Sequence, residues 1–433
     1  MILLYTLKSI AFALTEPYLI IILAVLALVL YRKNKQITVM QKMIIGERID
    51  SPFELTISQI VIGIFAGVVI TTIMSYLGIV FDESSSVDLV FLASIIFMFF
   101  NPRFICFSYS GAVLGFLSLT MAIVSSKFNL PNLNFLKIDV VALMSMVAVI
   151  HFVEGILIIL DGKTGSIPVF TSKGGSIIGG FALRRYWIVP VAIFFMIHDK
   201  SAIASSWQVS LPGWWPIIKT SIPFNILKNA VLTLMPFYAV VGYNSVTFTK
   251  SVKEKSRISG VIVMLYGIIL FGVAQLAVLN IVLKFFVVIF APLAHEGIII
   301  LQRHLENKGI PKYISSSEGI MVLAVAPNSP ASEMGIKTGD LLVEVNGEKI
   351  ESEDRITEII RECSNFIWFK VKNVSGALEQ VSYNKMNKNK RLGIVFVPRK
   401  VPNDSMVVKF DKSRFSRMLN DMKNKDKDKD KDD

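Results

Sequence analysis

Only four histidines occur in 433 residues, and two of them, His151 and His295, are paired with glutamates in or at the end of apolar runs. His151-Phe-Val-Glu154 lies inside one run, which ends at Leu160-Asp161-Gly162; a later run holds Lys284 and leads into His295-Glu296. At 100° per residue, positions 151, 154 and 161 fall within roughly a quarter-turn of a helix, so their side chains share a face. Lys284 and His295, eleven residues apart, share a face as well. The chemistry such residues suit is metal-assisted hydrolysis, in which two histidines one turn apart and a carboxylate hold zinc while a glutamate activates water. The pattern is incomplete: no second histidine lies one turn after His151, and the one after His295 is His304. No metal, cofactor or catalytic residue is expected. His151, Glu154, Asp161, Lys284, His295 and Glu296 are expected instead to form an intramembrane polar network that fixes helix packing, because ionisable groups at that depth face a bundle interior or a watery cavity. Ser110-Gly111 has no identifiable partner histidine for nucleophilic catalysis. Cys106 and Cys363 are isolated and imply neither a disulfide nor a cysteine metal site.

The elements that carry these residues are membrane helices. Hydrophobic residues make up 53% of the chain and charged ones 18%, a balance that excludes a purely soluble protein. Taking about 20 apolar residues per crossing, candidate spans are Pro17 to Tyr31, Ile57 to Phe81, Val87 to Phe100, Phe104 to Ser125, Ile138 to Leu160, Tyr186 to Ile197, Ala230 to Gly242, Ile258 to Val278 and Leu279 to Ala294. The count is about eight or nine. The net charge of +12 sits mostly beside apolar runs, as topology determinants and contacts for anionic lipid, so no nucleic acid is expected as a partner. Basic loops at Arg32 to Arg48, Lys163 to Arg185 and Lys250 to Arg257 fall on one side when nine spans are counted; that side is expected to be cytoplasmic. Trp207, Trp214 and Trp215 are expected at the outer interface. Gly63 and Gly67 are expected to serve close intrachain packing.

Residues 1–301 therefore read as a polytopic α-helical membrane domain and 302–312 as a short charged link. A soluble module follows over 313–398, and residues 399–433, ending in alternating lysine and aspartate, read as a disordered charged tail. In the module, strand-like runs alternate with turn signals: Gly319-Ile320 opens a strand, Ser329-Pro330-Ala331 starts a short helix, and Gly335-Ile336, Gly339-Asp340 and Val345-Asn346-Gly347 follow. The order resembles a PDZ domain, a small α+β fold. Strand addition implies that an edge at Ile320 to Val325 accepts an extended peptide, with the helix after Ser352 as the other wall. Family resemblance puts a terminal carboxylate on the backbone of Glu318, Gly319, Ile320 and Met321, beside Val322, Ile356, Ile359 and Ile360.

Many spans followed by one PDZ module, together with His151-x-x-Glu154-Gly155 running into Leu160-Asp161-Gly162-Lys163 and Ser166-Ile-Pro-Val169, resemble the MinJ-type division-site proteins of Gram-positive bacteria. The resemblance implies an adaptor in the bacterial plasma membrane, with a cytoplasmic PDZ domain and DivIVA-like and MinD-like protein partners. Two other classes stay open. An intramembrane protease, or a regulatory subunit of one, would need Glu154, Asp161 or Glu296 as carboxylates, and a transporter would need the polar face but not the module.

Overall fold

A computed structural model describes residues 2–46, 49–100, 102–130, 135–197, 213–218, 231–350, 352–362, 365–384 and 391–399. Among the described residues six helices are long and apolar enough to cross a membrane: α2 (Pro17–Ile45), α3 (Pro52–Leu77), α5 (Phe107–Phe128), α6 (Val140–Asp161), α7 (Val252–Leu276) and α8 (Ile281–Lys308). Two shorter apolar helices, α1 (Ile2–Thr15) and α4 (Asp88–Phe100), accompany them. Local chemistry sets their ends. Ser51 and Ser251 form capping boxes with Glu54 and Glu254, Asp139 Oδ1 accepts from the amides of Val141 and Ala142, and Asn280 accepts from Leu283 at the break between α7 and α8. Large apolar side chains such as Phe65, Phe99 and Leu293 point outward, as lipid-facing residues do.

Two of the expected spans are not helices. Tyr186 to Ile197 lies in β3 (Ser176–Ile197), and Ala230 to Gly242 falls almost wholly in β4 (Val231–Thr247); the strands pair antiparallel from Phe181↔Thr247 to Ile197↔Val231. The run Tyr186-Trp-Ile-Val-Pro-Val-Ala-Ile-Phe-Phe is rich in β-branched and aromatic residues, is short for a crossing, and contains Pro190, which a helix interior resists. A strand among apolar surroundings needs both edges satisfied. On the second edge of β3 stand β2 (Ile167–Lys173), joined through the positive-φ pair Gly174-Gly175, and the parallel β1 (Val80–Asp82). Helix α3 fills the gap between them. A Cβ on Gly63 would overlap the carbonyl oxygen of Ile188, one on Gly67 that of Pro190, and Thr71 Oγ1 accepts from the Ala192 amide at 2.9 Å. The glycine pair is thus intrachain packing, as expected, but its partner is a strand edge.

The termini of the helices define two ends. Near one end Ile37, Leu55 and Ile167 pack together, Gln41 Nε2 donates to the Ser166 carbonyl at 3.3 Å, and Ser256 Oγ donates to the Ile158 carbonyl. The basic segments flanking α2, α6 and α7 therefore gather at one end of the molecule. At the other, the amide of Ser86 meets the Lys137 carbonyl at 2.9 Å and Trp215 Nε1 donates to Ser75 at 2.7 Å, with Trp214 stacked on Tyr76. Trp207 lies outside the described residues, as do Cys363 and the tail from residue 400.

The C-terminal module joins the basic end. Residues 302–308, expected as a link, continue α8, and Glu306 Oε1 accepts from the amides of Phe248 and Thr249 at 2.7 and 2.9 Å. Strand β5 (Tyr313–Ile314) pairs with Ile178 and Gly179 of β3. The module's own sheet runs β10 (Leu378–Tyr383), β9 (Ile367–Lys372), β7 (Leu341–Val345), β6 (Ile320–Val325), β11 (Ile394–Phe396), with β8 (Glu348–Lys349) on β7. Helices α9 (Pro330–Glu333) and α10 (Glu353–Glu362) complete it. Leu323, Ala324, Val395 and Val397 share a core with Phe181 and Leu183 of β3, so the module packs directly on the membrane part.

Candidate functional site

In the module, β6 is not an edge. Ile320 and Met321 pair with Leu342 and Leu341 of β7, while Val322, Ala324 and Val325 pair with Phe396, Val395 and Ile394 of β11. Further backbone bonds hold it on both sides: the amide of Val322 donates to Asp340 at 2.9 Å and the amide of Val397 to Met321 at 2.9 Å. Ile320 and Val322 are core residues, and Glu318 is exposed and ion-paired with Lys372 at 2.8 Å. The expected acceptor strand and carboxylate loop at Glu318, Gly319, Ile320, Met321 and Val322 are therefore corrected. A strand flanked by neighbours on both sides presents no open edge to a peptide.

Two strands of the module's sheet keep a free edge among the described residues, β10 and, flanking β6 itself, β11. Before it stands the turn Leu392-Gly393-Ile394. Gly393 has φ +77°, and a Cβ there would overlap Ser329. Its carbonyl accepts from Ala326 at 2.7 Å and that of Leu392 from Ala331 at 3.1 Å, so the turn is clamped onto the loop leading into α9. Ile394 and Phe396 are half-buried against the core that contains Ile356 and Ile359, and half-buried Ile360 joins the same core. The segment Leu392 to Phe396 carried a legible cue, a glycine between apolar residues at the start of a short β-branched run, but it lies some 70 residues after the strand it flanks.

Inside the helical part the expected polar network separates into two sites. At the first, α4, the short 3-10 turn Pro102–Ile105 and α5 form a hairpin whose turn meets the middle of α6. Cys106 Sγ lies 2.9 Å from His151 Nε2, Ser108 Oγ lies 3.3 Å from that nitrogen and 2.7 Å from Tyr266 Oη, and Tyr266 donates to the Ala291 carbonyl at 2.8 Å. His151 Nδ1 is 2.7 Å from the Val147 carbonyl. A carbonyl only accepts, so Nδ1 carries a proton. Glu154 Oε2 stands 3.7 Å from Nε2. From α8, His295 packs edge-on against Tyr109, His151 and Tyr266, and Glu296 accepts from Arg103 and from Tyr109 Oη. Ligand atoms of Cys106, His151 and His295 all lie within 4.8 Å of one another.

Asp161 belongs to the second site. Its carboxylate accepts from Arg185 Nε at 2.7 Å, from Arg185 Nη2 at 3.2 Å and from Trp187 Nε1 at 2.8 Å, and Arg185 Nη2 also donates to Ser58 Oγ. Arg185, 1% exposed, is thus a buried partner and not one of the flanking topology charges. Lys284 is half-buried and makes no side-chain hydrogen bond or ion pair among the described residues, so it is removed from the network. Seven residues beyond Glu154 along α6, the same face meets β3 instead of α5 and α8, which is why one helical stripe feeds two sites. Cys106, Tyr109 and Tyr266 were not anticipated because each reaches His151 or His295 from a distant segment.

Residues 321–366 match the PDZ domain family. Over 258 residues the chain is 24% identical to the cell division topological determinant MinJ of Bacillus subtilis (strain 168), an alignment that takes in 56% of this chain and 60% of that protein. The chain thus spans about 60% of that relative's length. It combines a PDZ domain with helices long and apolar enough to cross a membrane, and it is similar over part of its length to a cell-division protein.

Proposed function

We propose that the protein is a membrane-tethered adaptor whose PDZ groove, between β11 and α10, recruits a protein partner at the bacterial division site. The observation that supports this most is the free edge of β11 beside a clamped glycine turn and an apolar wall. An extended peptide pairs with such an edge through its backbone, and its side chains fall alternately into the groove and away from it. Ile360, Ile394 and Phe396 make that groove apolar, which fits a partner ending in a hydrophobic residue. The likeness to a cell-division protein supplies the setting. In this reading the basic end faces the cytoplasm with the PDZ domain, the acidic loop at Asp82-Glu83 faces out, and DivIVA-like and MinD-like proteins are the first partners to test. Function follows from recruitment and not from catalysis.

The test is the position of a fluorescent fusion of the full chain in growing cells, compared with Ile394→Glu and Phe396→Glu variants. Removing the module altogether would bare Phe181 and Leu183, so point changes in the groove are the cleaner perturbation. Septal enrichment lost in the variants at unchanged membrane abundance supports the adaptor. Equal distribution of all three proteins, with normal division, defeats it.

A further inference from the structure

We infer that Cys106, His151 and His295 form a binding site for a transition-metal dication of the zinc class. The three side chains come from three elements: the N-cap of α5, the middle of α6 and the middle of α8. Their ligand atoms converge within 4.8 Å. The orientation of His151 is that of a metal ligand. With Nδ1–H held by the Val147 carbonyl at 2.7 Å, Nε2 is left to point its lone pair at Cys106, the arrangement by which backbone carbonyls fix the tautomer of ligating histidines. The amide of Ser108 lies 3.4 Å from Cys106 Sγ as a donor, which suits a sulfur that carries negative charge.

Glu154 is the independent observation. Its side chain is nearly buried, and among the described residues its carboxylate makes no hydrogen bond; the nearest charged partner is His151 Nε2 at 3.7 Å. A carboxylate in that state is costly in an apolar medium unless a cation stands nearby. A dication held by Cys106, His151 and His295 would stand beside that side chain. Glu296, by contrast, is already matched by Arg103. The ligand set selects the metal: thiolate and imidazole favour zinc and its neighbours and disfavour magnesium and calcium. A tetrahedral ion would hold sulfur and nitrogen about 3.5 Å apart, so binding opens the 2.9 Å Cys106–His151 contact by roughly 0.6 Å. Cys106 and His295 are half-buried while His151 is buried, which leaves one side of the cluster for entry.

The experiment uses the full chain carrying Cys363→Ser, purified in detergent, stripped with chelator and titrated with Co2+ and then Zn2+. We expect about one ion per chain and a thiolate-to-cobalt charge-transfer band with tetrahedral visible bands. Cys106→Ser should abolish the charge-transfer band, and Cys106→Ser and His295→Gln should each weaken binding by at least ~10-fold. Monodisperse protein that takes up no cobalt or zinc overturns the site, as does equal uptake by the Cys106→Ser chain. Should either variant fail to fold, alkylation of Cys106 in the Cys363→Ser chain decides: at least ~10-fold protection by Zn2+ and none by Mg2+ supports the site, and equal rates with and without Zn2+ overturn it.

Discussion

Replacing Asp161 by asparagine should cost the protein stability through Arg185, and the size follows from the site. The carboxylate is the counter-ion of a guanidinium that is 1% exposed, and it accepts three hydrogen bonds, two from Arg185 and one from Trp187. Asparagine keeps the shape and one acceptor oxygen but turns the other into an NH2 facing donors, and it leaves the guanidinium without its charge. Breaking a buried pair from one side costs about 3–5 kcal/mol, which is two to three and a half decades in the folding equilibrium at about 1.4 kcal/mol per decade. Fluorescence-detected size-exclusion after a temperature ramp in detergent would read this as a loss on the order of 10 °C. The double variant Asp161→Asn with Arg185→Met removes the stranded cation and should recover at least half of the loss. Additive losses, or an Asp161→Asn chain as stable as the parent, would refute the idea that Asp161 serves the fold by holding Arg185.

Three other perturbations test separate parts of the structure. Gly63→Ala places a methyl on the Ile188 carbonyl and should destabilise by about 1–3 kcal/mol, as overpacking does, in the same thermal assay. Gly393→Val demands positive φ of a β-branched residue and space already held by Ser329; peptide binding to the full chain, followed by fluorescence anisotropy, should be lost while the membrane part keeps its melting behaviour. Burial, helped by the neighbouring Asp354, raises the pKa of Glu353 at the start of α10. The folded value then exceeds the unfolded one, so the associated stability is full below the ordinary glutamate range and lost as pH rises through the raised value. Amide exchange in α10 should therefore quicken across that window, and Glu353→Gln should flatten the dependence.

Seven of the nine apolar runs singled out in the sequence are helices, and even the break between α7 and α8 fell within a few residues of Asn280. The strands β3 and β4 were mistaken for spans because hydropathy measures apolarity and not the partner of the backbone. Pro190 and the β-branched run around it were the available warning. In the PDZ domain the core isoleucines Ile356 and Ile359 were legible from helical spacing, but which strand forms the edge depends on a pairing between Val322 and Phe396 that no local pattern records. The same holds for Cys106. Its partners lie 45 and 189 residues away in sequence, and only the turn between α4 and α5 brings the thiol to the middle of α6.

The pairing of Tyr313 and Ile314 with β3, and the shared core beneath β6 and β11, bear on how a partner is met. A domain on a flexible tether samples many headings, and most encounters find its groove turned away. Here the heading is set by the membrane part itself, so a ligand that is also held at the bilayer approaches a groove of constant tilt and height. The orientational entropy that association normally forfeits is largely spent in folding. Partners anchored at the matching height gain, and those arriving from bulk solution do not, which makes the docking of the PDZ domain a selector for membrane-bound company.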